Sequence, residues 1–68
     1  MKTYSIKVHL PENITENVEV KQRTTFLDLA DMYQNRYDCR IVGAVFNNEL
    51  CELKKEVPDN GDLELITL

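Results

Sequence analysis

Few residues of this chain have side chains suited to catalysis. His9 is the only histidine. Catalysis by such a group needs a nucleophile or an orienting acid held beside it. His9 lies in a segment where polar and apolar residues alternate, and its position in that alternation places it on the solvent side of a strand. We therefore expect a surface histidine, and we predict no catalytic residue in this chain.

The acidic residues and cysteines do not form a metal-binding pattern. Asp28 is explained by helix capping, Asp31 by the solvated side of a helix and Asp38 by the helix end. Cys39 and Cys51 are too far apart for a zinc motif, which needs close ligand pairs, and we expect two free thiols in a reducing compartment. We predict no metal and no cofactor in this domain. A looser acidic run is expected to form a solvated edge: Glu56, Asp59, Asp62 and Glu64.

The charge of the chain disfavours direct binding of nucleic acid. Its formal net charge is −4, whereas phosphate binding draws on clustered lysine and arginine. The one basic pair is Lys54-Lys55. Tyr33 and Tyr37 lie one helical turn apart, and paired aromatic rings can stack on bases. Both fall on the apolar side of the predicted helix, so packing in the core is favoured, with the hydroxyls at its margin.

The length of the chain limits the kind of function it can have. Sixty-eight residues make one small domain with a thin core. Such a domain has little room for the enclosed cavity of a small-molecule enzyme, so we predict a non-enzymatic domain. The N-terminus has no apolar signal region, and the longest apolar run is residues 41–46. We expect a cytoplasmic protein that does not contact a membrane.

The first third of the chain is predicted to form two strands. Residues 4–10 and 18–20 alternate apolar with polar side chains, a period of two that is typical of half-buried strands. Pro11-Glu12-Asn13 separates them, because proline cannot donate to a β-ladder and asparagine favours turns. We expect an opening hairpin.

The next segment has the pattern of an amphipathic helix. Thr25 and Asp28 are three positions apart, so a hydroxyl at the cap and a carboxylate in the first turn can each satisfy a free backbone amide. Apolar residues then recur at a spacing of three or four: Phe26, Leu29, Ala30, Tyr33 and Tyr37. A helix is predicted from about residue 26 to residue 36.

Three further strands are predicted in the second half of the chain. Residues 41–46 are rich in β-branched and aromatic side chains. Asn47-Asn48 suits a tight turn because asparagine tolerates positive φ, and a short fourth strand is expected over 50–53. Residues 58–61 form a second turn signal, and residues 63–68 close the chain as a fifth strand.

This order of elements predicts an α+β fold of two layers. It resembles the ubiquitin-like β-grasp, in which a mixed sheet of four or five strands packs on one α-helix. The resemblance implies that the first and last strands pair in parallel at the centre of the sheet. We expect a single domain that covers residues 1–68.

The chain resembles a TGS domain over nearly its whole length. TGS domains are β-grasp modules attached to threonyl-tRNA synthetases, certain GTPases and the stringent-response synthetases. Residues 24–30 are similar to the threonine-capped helix start of the family. Residues 41–44 and 47–50 are similar to its third strand and turn, and residues 62–66 to its closing strand.

One subgroup is more similar than the others: the N-terminal domain of uridine kinase-like nucleoside kinases. That similarity lies in Tyr33-Gln34, Tyr37, Ile41-Val42, Asn47-Asn48 and Glu52-Leu53. It implies that the chain is the N-terminal fragment of a larger protein and acts as a regulatory or docking module. The parent would phosphorylate a nucleoside with ATP and magnesium in a later P-loop domain. The phosphate-binding motif G-x-x-x-x-G-K-S/T does not occur in this sequence.

Strand alternation predicts a partner-binding surface on the outer face of the sheet. If Val42, Ala44 and Phe46 face the helix, Gly43 and Val45 face away from it. The kinase resemblance leads us to expect bulkier or charged residues at those last two positions. An exposed apolar patch often marks a contact site, although scattered exposed aliphatic residues are common. The predicted surface, which would dock on the kinase domain, a neighbouring subunit or another protein, consists of Val45, Ile66, Leu68, Lys7, His9 and Lys21.

Two other functions remain as alternatives. An RNA-binding TGS domain predicts a salt-sensitive affinity for RNA, and the acidic charge counts against it. A ubiquitin-like sulfur carrier needs a flexible Gly-Gly carboxyl end, whereas this sequence ends Leu65-Ile66-Thr67-Leu68. A tail removed from the chain would be needed to restore that function.

Overall fold

The computed structural model describes residues 2–68, which form five strands and one α-helix in a ubiquitin-like β-grasp. Short 3-10 turns follow the first strand and the helix, at Pro11–Asn13 and Gln34–Arg36. The bounds of the main elements are β1 Thr3–Leu10, β2 Ile14–Lys21, α1 Phe26–Tyr33, β3 Ile41–Phe46, β4 Glu49–Cys51 and β5 Gly61–Thr67.

The strands lie in the order β2-β1-β5-β3-β4. β1 and β5 pair in parallel at the centre of the sheet, and the other neighbours are antiparallel. The mixed sheet and its central parallel pair confirm the predicted fold class.

The turn between β3 and β4 shifts the fourth strand relative to its prediction. Asn47 and Asn48 have φ of 50° and 69°, so the chain reverses in two residues and Glu49 lies directly opposite Phe46. β4 therefore begins one residue earlier than expected and ends at Cys51. The predicted span of 50–53 was wrong at its far end, because the chain leaves the sheet there.

The start of α1 follows the predicted capping pattern. The Thr25 hydroxyl accepts a hydrogen bond from the Asp28 amide at 3.1 Å, and the Asp28 carboxylate accepts one from the Thr25 amide at 3.0 Å. These reciprocal bonds satisfy two amides that would otherwise lack partners at the helix start. The α-helix ends at Tyr33, and the last predicted turn is a 3-10 turn.

The loop after the helix is closed by one side chain. The Gln34 amide nitrogen donates to the carbonyl of Cys39 at 2.9 Å, and its oxygen accepts from the Ile41 amide at 3.0 Å. The side chain thereby satisfies backbone groups at both ends of the turn into β3. This role gives a structural reason for a glutamine at a position on which the kinase resemblance rests.

The core lies between α1 and the inner face of the sheet. Phe26 and Leu29 from the helix pack against Ile6 and Leu63 from the two central strands, and none of these four side chains is accessible to solvent. The ring centroids of Phe26 and Phe46 lie 5.4 Å apart, and the ring planes make an angle of 54°. This tilted arrangement is favourable for aromatic pairs. The helix therefore covers one face of the sheet and leaves the other open.

β3 begins with a bulge that corrects the predicted alternation. Ile41 pairs with Thr67 and Gly43 pairs with Ile66, so Val42 is an extra residue without an opposite partner. Ile41 is buried, while Val42 is 45% exposed. The expectation that Val42 faces the helix was therefore wrong, because the bulge assigns that inner position to Ile41.

Candidate docking face

The sheet surface turned away from α1, which we call the open face, carries one row of side chains across all five strands. His9 is opposite Thr15 on one side and Glu64 on the other. Glu64 is in turn opposite Val45, and Val45 is opposite Leu50. Since directly opposite residues project from the same face, these five side chains form a continuous strip.

One end of this strip is apolar. Val45 and Leu50 lie side by side, and Leu50 is 77% exposed. Ile66 lies two residues beyond Glu64 on β5 and is opposite Gly43. A Cβ added to Gly43 would lie 3.9 Å from the Ile66 Cβ, so the Ile66 side chain covers this position. We call Val45, Leu50 and Ile66 the apolar patch. Leu68 lies beyond the end of β5 and is 86% exposed.

Sequence reasoning did not include Leu50 in the predicted surface. The signal was present, because a two-residue turn at Asn47-Asn48 places the second residue of the returning strand opposite Val45. The predicted surface drew on the third and fifth strands and on the opening hairpin, and the fourth strand was left out of it. The outward positions of Val45 and Ile66 agree with the predicted alternation.

The predicted basic residues are distributed unevenly over the open face. Lys7 lies between Asn17 of β2 and Asp62 of β5, two residues along β1 from His9. Lys21 is opposite Thr3, six residues along β1 from the row through His9, or roughly 20 Å. His9 is therefore part of the strip and Lys7 borders it, whereas Lys21 lies at a far corner of the sheet.

A groove of about 570 Å³ runs over the polar part of the strip. It is lined by His9, Asp62 and Glu64, by residues 13–15 around the start of β2 and by the turn at 47–48, and it reaches Val45. His9 Nε2 lies 3.9 Å from Asp62 Oδ1, beyond hydrogen-bonding distance, and both side chains are well exposed. The groove thus offers solvated polar contacts and lacks the oriented pair that acid–base catalysis requires.

Two asparagines fix the loop that leads into β5. The Asn47 side-chain oxygen accepts from the Asp62 amide at 3.0 Å, and the Asn60 side-chain oxygen accepts from the Ser5 amide at 2.8 Å. Gly61 lies between Asn60 and Asp62 in the sequence, and a Cβ at this position would come within 2.4 Å of the Asn47 side chain. These contacts join β1, β5 and the β3–β4 turn on one side of the groove.

The two helix-end tyrosines are packing residues. Tyr33 is buried, and burial raises its pKa, with further contributions from the charge of Glu16 and a hydrogen bond to it. Tyr37 is half-buried against the core, and its pKa is raised by burial and by the charge of Glu64. Arg36 pairs with Glu16 at 2.6 Å, which ties the helix end to β2.

The remaining sequence candidates do not converge on one site. Asp28 is engaged in the helix cap, and Cys39 and Cys51 are free cysteines. Among residues 2–68, no three histidine, cysteine or acidic side chains are grouped so that they could hold a metal ion. Within the same range, no helix is long and apolar enough to cross a membrane.

Comparison with solved structures supports the fold. A structure designed de novo on the basis of ubiquitin superimposes with a TM-score of 0.71 and 21% sequence identity. The match covers 96% of this chain and 88% of the designed one. No protein-family model matches the chain, and no curated protein matches it. At this level of identity the likeness shows the fold alone: a ubiquitin-like β-grasp.

Proposed function

We propose that this chain is a non-catalytic docking module of the TGS type that binds another protein through its open face. The observation that carries the proposal is the apolar patch of Val45, Leu50 and Ile66, which α1 does not cover. Leu50 is exposed, and Val45 and Ile66 are half-exposed. An accessible group of adjacent apolar side chains on a small domain is a common mark of a contact site.

The composition of the open face suits this role. Protein interfaces combine a desolvated apolar centre with a polar rim that excludes water. The apolar patch would provide the centre. Glu64 borders the patch beside Val45, and Lys7, His9 and Asp62 lie farther along the same face. All four are exposed or half-exposed, so they would provide rim contacts. Lys21 would contribute only to a partner that extends across the full sheet.

We further propose that the partner is the P-loop domain of a uridine kinase-like nucleoside kinase of which this chain is the N-terminal part. The supporting observation is the resemblance at Tyr33-Gln34 and Asn47-Asn48, where the side chain of Gln34 and the backbone of the asparagine turn have defined structural roles. In this proposal ATP and magnesium bind to the later domain. The present chain regulates or positions that domain in the cytoplasm and performs no chemistry.

The proposal can be tested by calorimetry with the kinase domain encoded after this segment in its natural reading frame. Wild-type domain should bind. Val45→Thr combined with Leu50→Gln should weaken binding at least about tenfold, because truncated central contacts each cost 1 kcal/mol or more. Met32→Gln is the matched control, since Met32 is 55% exposed on α1, away from the open face. Equal affinity of the patch variant and wild type would contradict the docking role.

The same proteins can distinguish the RNA-binding alternative. A protein-docking module should show no affinity for structured RNA beyond that of an unrelated acidic protein. An RNA-binding TGS domain should show an affinity that falls steeply with salt as counterions are released. Such a salt-dependent affinity, retained in the patch variant, would replace the docking proposal with the RNA-binding one.

A further inference from the structure

The two edges of the sheet differ in what they offer to another strand. β4 is a three-residue edge, whereas β2 is an eight-residue edge paired with β1 over its whole length without a bulge. β2 contains no proline, and all its residues have negative φ. Its edge therefore lacks two of the devices that commonly prevent strands from pairing with another chain.

The hydrogen-bond pattern identifies the backbone groups on the free side of β2. The Gln22 amide donates to the Lys2 carbonyl at 3.2 Å, which makes residues 2 and 22 a hydrogen-bonded pair in the β1–β2 register. In antiparallel strands such pairs alternate with pairs that point away from each other. Consistently, the Ser5 amide turns away from β2 and donates to Asn60. The residues of β2 with outward N–H and C=O groups are therefore Thr15, Asn17, Glu19 and Lys21.

We propose that these groups pair with β2 of a second copy of this chain. The two strands are antiparallel, and the two-fold axis passes between their Val18 residues, which lie opposite each other. This register places Asn17 opposite Glu19 of the second copy and Thr15 opposite Lys21. Each such pair exchanges two hydrogen bonds, so the four pairs would form about eight. The two five-stranded sheets would become one continuous sheet.

Charge and backbone geometry select this register over its neighbours. Moving the axis one residue toward Glu19 places the Glu19 side chains of both copies directly opposite each other, which is destabilising. Moving it toward Asn17 pairs Lys21 with Asn13, whose φ of 61° is incompatible with a strand. Only the axis at Val18 uses all four outward residues without directly opposed like charges.

The pairing would leave the docking surface accessible. A two-fold axis perpendicular to the sheet keeps the open faces of both copies on the same side, and β2 lies at the edge remote from Val45 and Leu50. A dimer of this kind would present two apolar patches to one partner assembly. Its existence does not depend on the docking proposal, because it uses backbone groups of a different strand.

Sedimentation equilibrium of the wild-type chain from micromolar to millimolar concentration provides the test, and dimerisation within this range is expected. Asn17→Pro removes one outward N–H from each copy and is compatible with an edge position, so it should abolish association. Asn17→Glu faces Glu19 of the second copy and should weaken association about tenfold. Asn17→Lys faces the same carboxylate and should strengthen it.

The same variants separate association from folding. Within one copy, Asn17 lies opposite Lys7, so Asn17→Glu should preserve or raise the melting temperature of the monomer while it weakens the dimer. Asn17→Lys should have the reverse effect on the monomer. A wild-type chain that stays monomeric at millimolar concentration would overturn the proposal. So would dimerisation that is insensitive to all three variants but lost in Val45→Thr with Leu50→Gln, because the copies would then meet through their open faces.

Discussion

The two faces of the sheet use the same strands for different purposes. On the inner face, Ile6 and Leu63 are completely buried under Phe26 of the helix. On the open face, residues adjacent in sequence to inner positions remain accessible, and Leu50 is 77% exposed. Burial constrains the inner residues by volume and shape, whereas the open residues experience little packing constraint. Stability should therefore reside on one face, and recognition is proposed for the other.

The largest expected effect tests this division directly. Phe26→Ala should destabilise the domain by about 3–5 kcal/mol, which is a large part of the total stability of a small domain. Leu50→Gln should cost less than about 0.5 kcal/mol because the side chain is mostly in solvent. Urea denaturation of the two variants measures the difference, and comparable losses would contradict the division between the faces.

The two glycines offer a sharper comparison within the sheet. Gly61→Ala should cost about 1–2 kcal/mol, because its methyl group displaces the Asn47 side chain from the Asp62 amide. Gly43→Ala should be tolerated, since its new Cβ would meet Ile66 at an ordinary 3.9 Å. In an Asn47→Gly background the cost of Gly61→Ala should vanish, and denaturation of the double variant checks this. A cost that persists would point to another clash.

A smaller gain in stability is expected at the turn that sets the position of Leu50. Asn48 has φ of 69°, a conformation that glycine adopts without steric cost. Asn48→Gly should therefore raise the free energy of unfolding by roughly 0.5–1 kcal/mol. Asn17→Gly, at a strand position with negative φ, should lower it by a similar amount. Thermal denaturation compares both with wild type, and a loss at Asn48 would show that its side chain matters more than its backbone.

The smallest effect under ordinary conditions is a loss of stability at alkaline pH. The pKa values of Tyr33 and Tyr37 are raised above 10.0, in each case mainly by burial. The unfolded chain therefore releases these protons at lower pH than the folded one. The stability that the two tyrosines contribute should be fully present below pH 10.0 and be lost as pH rises through the folded pKa values. Tyr33→Phe should reduce the slope of stability against pH. An unchanged slope would exclude Tyr33 as its source.

Local rules were sufficient to predict much of the fold. Thr25 and Asp28 form the expected cap, and the asparagine turn has the expected positive φ. The bulge at Val42 was not predictable in the same way. Apolar residues run without interruption from Ile41, so alternation alone cannot show which position lacks a partner; the register with β5 decides it.

The candidate site was also predicted only in part, because pairing between strands decides which of its residues are neighbours. Val45 and Ile66 follow from strand alternation within β3 and β5, whereas Leu50 requires the pairing between β3 and β4 that the two-residue turn sets. The groove between residues 13–15 and the turn at 47–48 depends on strand order. Strand order is a long-range property that no local sequence pattern encodes directly.

The central claim is that the open face, and not the helix, is the docking surface. Amide chemical-shift mapping during titration with the kinase domain proposed to follow this segment tests it most directly. We predict shifts at Val45, Leu50 and Ile66 and their strand neighbours, while the α1 amides of Leu29 and Ala30 remain unchanged. Shifts confined to α1, with the apolar patch unaffected, would contradict the claim.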